Sequence, residues 1–216
     1  AQGFILILDI SGYTRFVRSH NLRHIPLYGK HFRRMSEAHA EQVVSDLLET
    51  LVRAMGDEVR VEKFEGDAVL LSVLTDEPDA IALGIVDRLQ GIFPAFHQRI
   101  HELAFCRTCL CDCCSQMGEL RVKAIAHFGP FLVKEVLGQR ELAGQEMIRA
   151  HRLLKNQVEG HEYLLLTDAF VQLESVQGAL DLERHVEQDP ELGSTQVWVH
   201  HPTAHSVFEG EHAASY

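Results

Sequence analysis

The chain has 216 residues, 46% of them hydrophobic, and 31 Asp and Glu against 20 Lys and Arg give a net charge of −11. That length supports one sizeable core, and the acidic balance excludes a nucleic-acid surface, which needs clustered cations to neutralise phosphates. No apolar stretch approaches the roughly 18 to 20 residues that cross a bilayer, and no basic leader with a cleavage site opens the chain, so a cytoplasmic protein without membrane partners is expected.

The segment "FILILDISGYTRF" opens the chain on a continuous apolar run of branched residues that ends at a Ser-Gly turn. Residues 4–10 therefore read as a buried strand followed by a helix start. The abrupt beginning on a strand suggests residues upstream. Val44, Leu47, Leu48, Leu51, Val52 and Met55 recur at the helical period and stop at Gly56, which predicts one apolar face of a long helix. Two strands follow, 59–65 and 68–74, joined by Gly66 and Asp67 as a tight hairpin connection. Ile81, Ile85, Leu89, Ile92, Phe93, Phe96, Ile100 and Leu103 mark a second long helix, in which Pro94 predicts a kink.

That helix leads into "CRTCLCDCC", which holds all five cysteines: Cys106, Cys109, Cys111, Cys113 and Cys114. With no cysteine elsewhere, a disulfide framework is not expected. Three readings stand side by side: a tetrathiolate zinc site, a redox pair of exposed thiols, and a loop without a role. The histidines, among them His97, His101, His127, His200 and His201, are scattered and read as singly satisfied or solvated.

Further on, "LRVKAIAHFG" and "PFLVKEVLG" suggest a strand pair, "GQEMIRAHRLLKN" a helix, "EYLLLTD" a strand, and "QVWVHH" one more. The order β-α-ββ-α-β predicts an α+β fold, a ferredoxin-like antiparallel sheet with helices on one face. Residues 1–170 form the core, with a Cys-rich insertion at 105–118, and 171–216 extend the same domain.

Two acidic residues stand out against this frame. Asp9 ends the first strand and Asp67 sits in a hairpin expected beside it, so the two carboxylates converge on one sheet edge. Like charges so close repel unless a cation lies between them, and hard oxygen ligands suit Mg²⁺ or Mn²⁺. Ser11, Gly12, Tyr13 and Thr14 open a helix whose backbone N–H groups can hold phosphate oxygens. Taken singly, these features are an N-cap and a turn; taken together they point to a metal-phosphate site.

"DISGYT" and "KFEGD" resemble the two metal motifs of class III adenylate and guanylate cyclase catalytic domains, and "ELAGQEMIRAHRLL" is similar to the third signature of that family. The likeness runs through about the first 170 residues, and "EGDAVL", "VKAIAHFG" and "AHRLLKN" look closest to an uncharacterised bacterial branch of the superfamily. The resemblance implies two divalent ions held by Asp9, the Ile10 carbonyl and Asp67. It implies purine-base recognition by Lys63 and Glu141, and a transition-state arginine at Arg152. It also implies ATP or GTP as substrate and a homodimer whose subunits share each site. One position departs from the family: Ile148 stands where cyclases keep an Asn, and an isoleucine donates no hydrogen bond. Gln145, one turn earlier on the same face, is the alternative donor, ranked below simple loss of function. The expected function is a cyclase-like nucleotide-binding domain, a weak or degenerate purine nucleotidyl cyclase. The alternative is a non-catalytic sensory or interaction module on the same fold.

Overall fold

The structure is a computed structural model that describes residues 1–18, 29–105 and 116–202. The chain runs through β1 (Gln2–Ser11), α1 (Tyr13–Arg18), α2 (Gly29–Met55), β2 (Arg60–Glu65), β3 (Ala68–Leu74), α3 (Pro78–Phe105), β4 (Arg121–Pro130) and β5 (Leu132–Val136). It continues with β6 (Gln139–Ala143), α4 (Gln145–Arg152), β7 (Tyr163–Thr167), α5 (Asp168–Val171), β8 (Glu183–Asp189) and β9 (Gly193–His200). Among the described residues, no helix is long and apolar enough to cross a membrane.

Seven strands form one sheet in the order β2-β3-β1-β4-β7-β9-β8. β1 is central and pairs antiparallel with both β3 and β4, while β4 and β7 run parallel. A central strand covered on both sides has no reason to alternate polar with apolar, which accounts for the unbroken run of residues 4–8. Phe4, Leu6, Leu8 and Ile10 face the larger core, with Leu47 and Leu51 of α2 and Leu89, Phe93 and Phe96 of α3. Ile5 and Ile7 face the other way, toward a smaller core that includes Met147 and Ala150 of α4 and Leu153 just beyond it. Each large side chain removed from water in this way contributes about 2 kcal/mol. Helices therefore cover both faces, whereas the sequence reading placed them on one. Pro94 lies inside α3, which continues as one helix on either side of it.

Two further differences lie in the second half. The segment read as a strand pair after residue 120 is split: β4 enters the sheet, but β5 turns back on β6 as a separate two-stranded hairpin. Its turn holds Leu137 at φ 53° and Gly138 at φ 78°. The polar strand β8, unanticipated, pairs with β9 and forms the sheet edge. The Cys106 to Cys114 segment lies outside the described residues.

Candidate functional site

The β1 carboxyl end and the β2–β3 turn meet at a cavity of about 370 Å³ whose lining includes Asp9, Ser11, Gly12, Tyr13, Asp67 and His161. Register brings this about: Asp9 pairs with Ala68 across β1–β3, and the Ile10 N–H donates to the Asp67 carbonyl at 2.9 Å. Asp67 thus stands one residue beyond the ladder, beside Ile10. Gly66 at φ 67° makes the tight turn that aims it there. Burial raises the Asp9 carboxyl to about 6, the Asp67 charge pushes the same way, and Lys123 opposes both. Asp67 is itself raised by burial, with Glu41 adding to the effect and its own backbone hydrogen bond opposing it.

Ser11 is buried and Gly12 adopts φ 95°, so the chain turns sharply out of β1 into α1. The first bond of that helix runs from the Phe16 N–H to the Gly12 carbonyl at 2.9 Å, leaving the preceding N–H groups outside the helical ladder. Tyr13 Oη donates to Glu41 Oε1 at 2.5 Å, a bond that lifts the phenol to about 12.

Lys123, not singled out from the sequence, pairs with Asp9 across β1–β4. Its Nζ lies 5.5 Å from the Tyr163 ring centroid, a cation-π contact on the smaller-core side of the sheet. The available signal was a lone lysine within an otherwise apolar strand, "LRVKAIAHFG".

Lys63 and Glu141 come together elsewhere. The β2–β3 register slips between Val61 and Lys63, a bulge that turns Glu62 inward. The Glu62 carboxylate accepts from Ser72 Oγ at 2.6 Å and from Arg140 Nε at 3.0 and 3.2 Å, tying β2 and β3 to the β5–β6 hairpin. On the outside, Lys63 Nζ pairs with Glu65 at 2.9 Å, and Glu141 pairs with Lys134 at 3.2 Å. Glu65 raises Lys63, with a smaller contribution from Glu141. Neither residue lines the Asp9 cavity.

Arg152 occupies a third place. Its Nη1 donates to both Asp189 oxygens at 2.9 and 3.2 Å and its Nη2 donates to Glu191, so the guanidinium is held by the β8–β9 turn. Ile148 lies on the exposed face of the same helix, whereas Met147 and, just past the helix end, Leu153 are buried in this chain's own core and are not free to form a subunit contact. Gln145 is exposed.

His127 is buried, its Nδ1 2.9 Å from Thr167 Oγ1. Its Nε2 lies 3.0 Å from Glu146 Oε2 without the alignment of a hydrogen bond. Burial depresses it to about 4, with Glu146 opposing. His97 pairs with Glu162 at 2.8 Å. Among the described residues, no group of three or more His, Cys, Asp or Glu side chains is arranged to hold a metal. The donor set at the cavity is smaller: two carboxylates and a backbone carbonyl. It fits a hard divalent cation on electrostatic grounds, since a cation would relieve the repulsion and desolvation that hold both acids up.

Residues 44–163 match the family described as "Protein of unknown function (DUF2652)". The chain belongs to this family. A relative in Mycobacterium tuberculosis, "Uncharacterized protein Rv2561/Rv2562", is 31% identical over 129 residues, covering 60% of this chain and 59% of that protein. The chain thus spans well under two thirds of the length of this curated relative. Among solved structures, the adenylyl cyclase CyaB from P. aeruginosa superposes with a TM-score of 0.64 at 12% identity, covering 92% of this chain and 93% of that one. The guanylyl cyclase Cya2 gives 0.60 at 13% identity over 93% and 91% of the two chains. The guanylate cyclase domain of RhGC from Catenaria anguillulae, solved with GTP, gives 0.51 at 15% identity over 93% and 97%. This DUF2652 chain therefore has the fold of the class III cyclase catalytic domains.

Proposed function

We propose that the chain is a nucleotide-binding domain that takes a purine nucleoside triphosphate with Mg²⁺ or Mn²⁺ and cyclises it weakly. The carrying observation is the pairing of Asp9 and Asp67 in one cavity, where each acid is held above its ordinary range and Asp67 adds to the rise at Asp9. In this reading Asp9, Asp67 and the Ile10 carbonyl hold the ions, and the backbone from Ser11 to Thr14 holds phosphate, with Lys123 beside it. Two bound ions would supply charge neutralisation of the triphosphate and a lowered pKa for the attacking ribose 3′-hydroxyl.

Lys63 and Glu141, adjacent but outside that cavity, would read the base, and Arg152 would meet the α-phosphate as pyrophosphate leaves. Because these groups stand apart from Asp9 in one chain, the reading needs a second copy, in a two-fold dimer whose clefts are each built from both subunits. A cytoplasmic setting belongs to the same proposal.

A second reading has its own support. Ile148 offers no hydrogen bond to a ribose, and Arg152 is already paired with Asp189 and Glu191. Both features favour a sensory or interaction module that keeps the fold without turnover. Incubation of the purified chain with ATP or GTP and Mn²⁺, with mass detection of the cyclic product, separates the two. The expected outcome is a slow product that falls by at least ~100-fold in Asp9→Ala and Asp67→Ala. Product that survives both substitutions would remove the proposed mechanism.

A further inference from the structure

A cavity of about 540 Å³ lies between the end of α4 and the β8–β9 turn. Its α4 side carries Arg149, Arg152 and Lys155, and its other wall is built from the end of β8, with Glu187 and Asp189, and the turn that follows. Three cations at the carboxyl end of a helix and its following turn suit the dipole there. Arg149 is already held by Glu146 at 3.1 Å and donates to Thr195 Oγ1 at 2.7 Å, so Arg152 and Lys155 form the receptor that would meet an oxyanion. The chain fills part of that receptor itself. Asp189 Oδ1 accepts the backbone N–H groups of Glu191 and Leu192 at 2.8 Å each, so the turn is folded around its own carboxylate. The same carboxylate takes Arg152 Nη1, and Glu191 takes Nη2. Two carboxylates thus offer the guanidinium fork the set of oxygens that a phosphate would offer.

We propose that this cavity is a phosphate-class oxyanion site which the chain closes with Asp189 and Glu191, so that Arg152 stays neutralised until a polyphosphate displaces the turn. The inference rests on the reading of Arg152 as the phosphate-facing group. The outer half of the closure is weak. Glu191 is 72% exposed and Arg152 38% exposed, so that pair shifts an equilibrium by only a fewfold, while Asp189, 20% exposed, is the firmer of the two partners. A ligand carrying several charges can therefore open the site, while the resting chain keeps it shut.

The test uses a guanidinium-specific reagent, p-hydroxyphenylglyoxal, with peptide mass mapping of Arg152 in the full chain, and inorganic tripolyphosphate as the anion. Arg152 in D189N/E191Q should react roughly three- to tenfold faster than in the wild type. Tripolyphosphate should shield it in that variant at a correspondingly lower concentration. Because Asp189→Asn also loosens the turn, E191Q serves as the second variant: the Glu191 carboxylate accepts from Arg152 and lies outside the turn's own hydrogen bonds, so it should show part of the same gain. Equal reactivity in all three proteins, equal shielding, or an Arg152 that never reacts would overturn the proposal. Neither readout involves Asp9, Asp67 or turnover. A chain that forms no cyclic product yet shows the gain keeps the oxyanion site, and one that cyclises without the gain loses it.

Discussion

Asp9 stands where burial and a neighbouring charge both oppose its ionisation, so its folded pKa of about 6 exceeds the ordinary 3.8. The native state then binds more protons than the unfolded state between pH 4 and 6, and the stability contributed at low pH is lost as pH rises through that window. Removing the acid should therefore stabilise the metal-free protein. Asp9→Asn is expected to gain on the order of 2 kcal/mol at pH 7 in urea unfolding and little at pH 4; millimolar Mn²⁺ should raise the melting temperature of the wild type and not that of the variant. An unchanged response to Mn²⁺ in Asp9→Asn would count against the cation site. His127 has the opposite sign: depressed to about 4, it leaves the unfolded state with the extra proton, so stability falls as pH drops from 6.5 to 4. Unfolding free energies of His127→Asn from urea titration should vary less across that interval, by about 2 kcal/mol. The shared placement of Asp9 and Asp67 at one cavity was legible because a hairpin turn beside the end of β1 brings its acid to that strand's last residues. Lys123 carried a signal of its own and was passed over, because its meaning depends on β4 pairing with β1, and pairing partners are not written in local sequence.

Among the elements, the long helices and β1 to β3 were readable from periodicity and from the Gly66-Asp67 turn. The β5–β6 hairpin was not. Its turn residue Leu137 adopts φ 53° and is fully exposed, a position where Asn or Gly would have announced the reversal. β8 was hidden for another reason: "ERHVEQD" is polar almost throughout, as suits a sheet edge that must not recruit another strand. The Glu62 bulge was equally invisible, since the inward turn of an acid in β2 is set by Ser72 and by Arg140 of the hairpin, both distant in sequence. Glu62 is buried, with its side chain 4% exposed. Glu62→Ala would leave Arg140 without its counter-charge and should lower stability by about 3 kcal/mol. In the same variant the affinity for a fluorescent ATP analogue should weaken, because the brace that brings Lys63 and Glu141 together is gone. A stable variant with unchanged binding would show that the bulge positions nothing.

At the scale of the whole molecule, Leu74, Leu83, Phe105 and Val186 are exposed apolar side chains spread over β3, α3 and β8, while a larger set gathers on neighbouring elements: Val61 and Phe64 on β2, Leu132, Val133 and Val136 on β5, Leu137 at the hairpin turn, and Ile148 on α4. This set borders the elements that carry Lys63, Glu141 and Arg152, the groups that cannot meet Asp9 within one chain. Leu137 is the informative member, because the left-handed conformation costs a non-glycine residue about 1 kcal/mol and water surrounds the side chain completely. Such a residue gains nothing inside the monomer, and a partner surface would supply what the monomer does not. Leu137→Asn should accordingly raise the melting temperature of dilute protein, by up to about 1 kcal/mol in stability, while weakening self-association in sedimentation equilibrium. Ile148 belongs to the same surface but stands where the cyclase resemblance expects a polar group toward the ribose. Ile148→Asn removes one exposed apolar side chain from a helix whose buried face, Met147 and Ala150, is untouched, so folding should change by less than ~0.5 kcal/mol. Turnover with Mn²⁺ and ATP or GTP should rise if the clefts are shared, and the rise should depend on protein concentration with the same midpoint as dimer formation. A chain that stays monomeric at high micromolar concentration, with nucleotide or without it, would separate Lys63, Glu141 and Arg152 from Asp9 for good and leave the interaction-module reading in front.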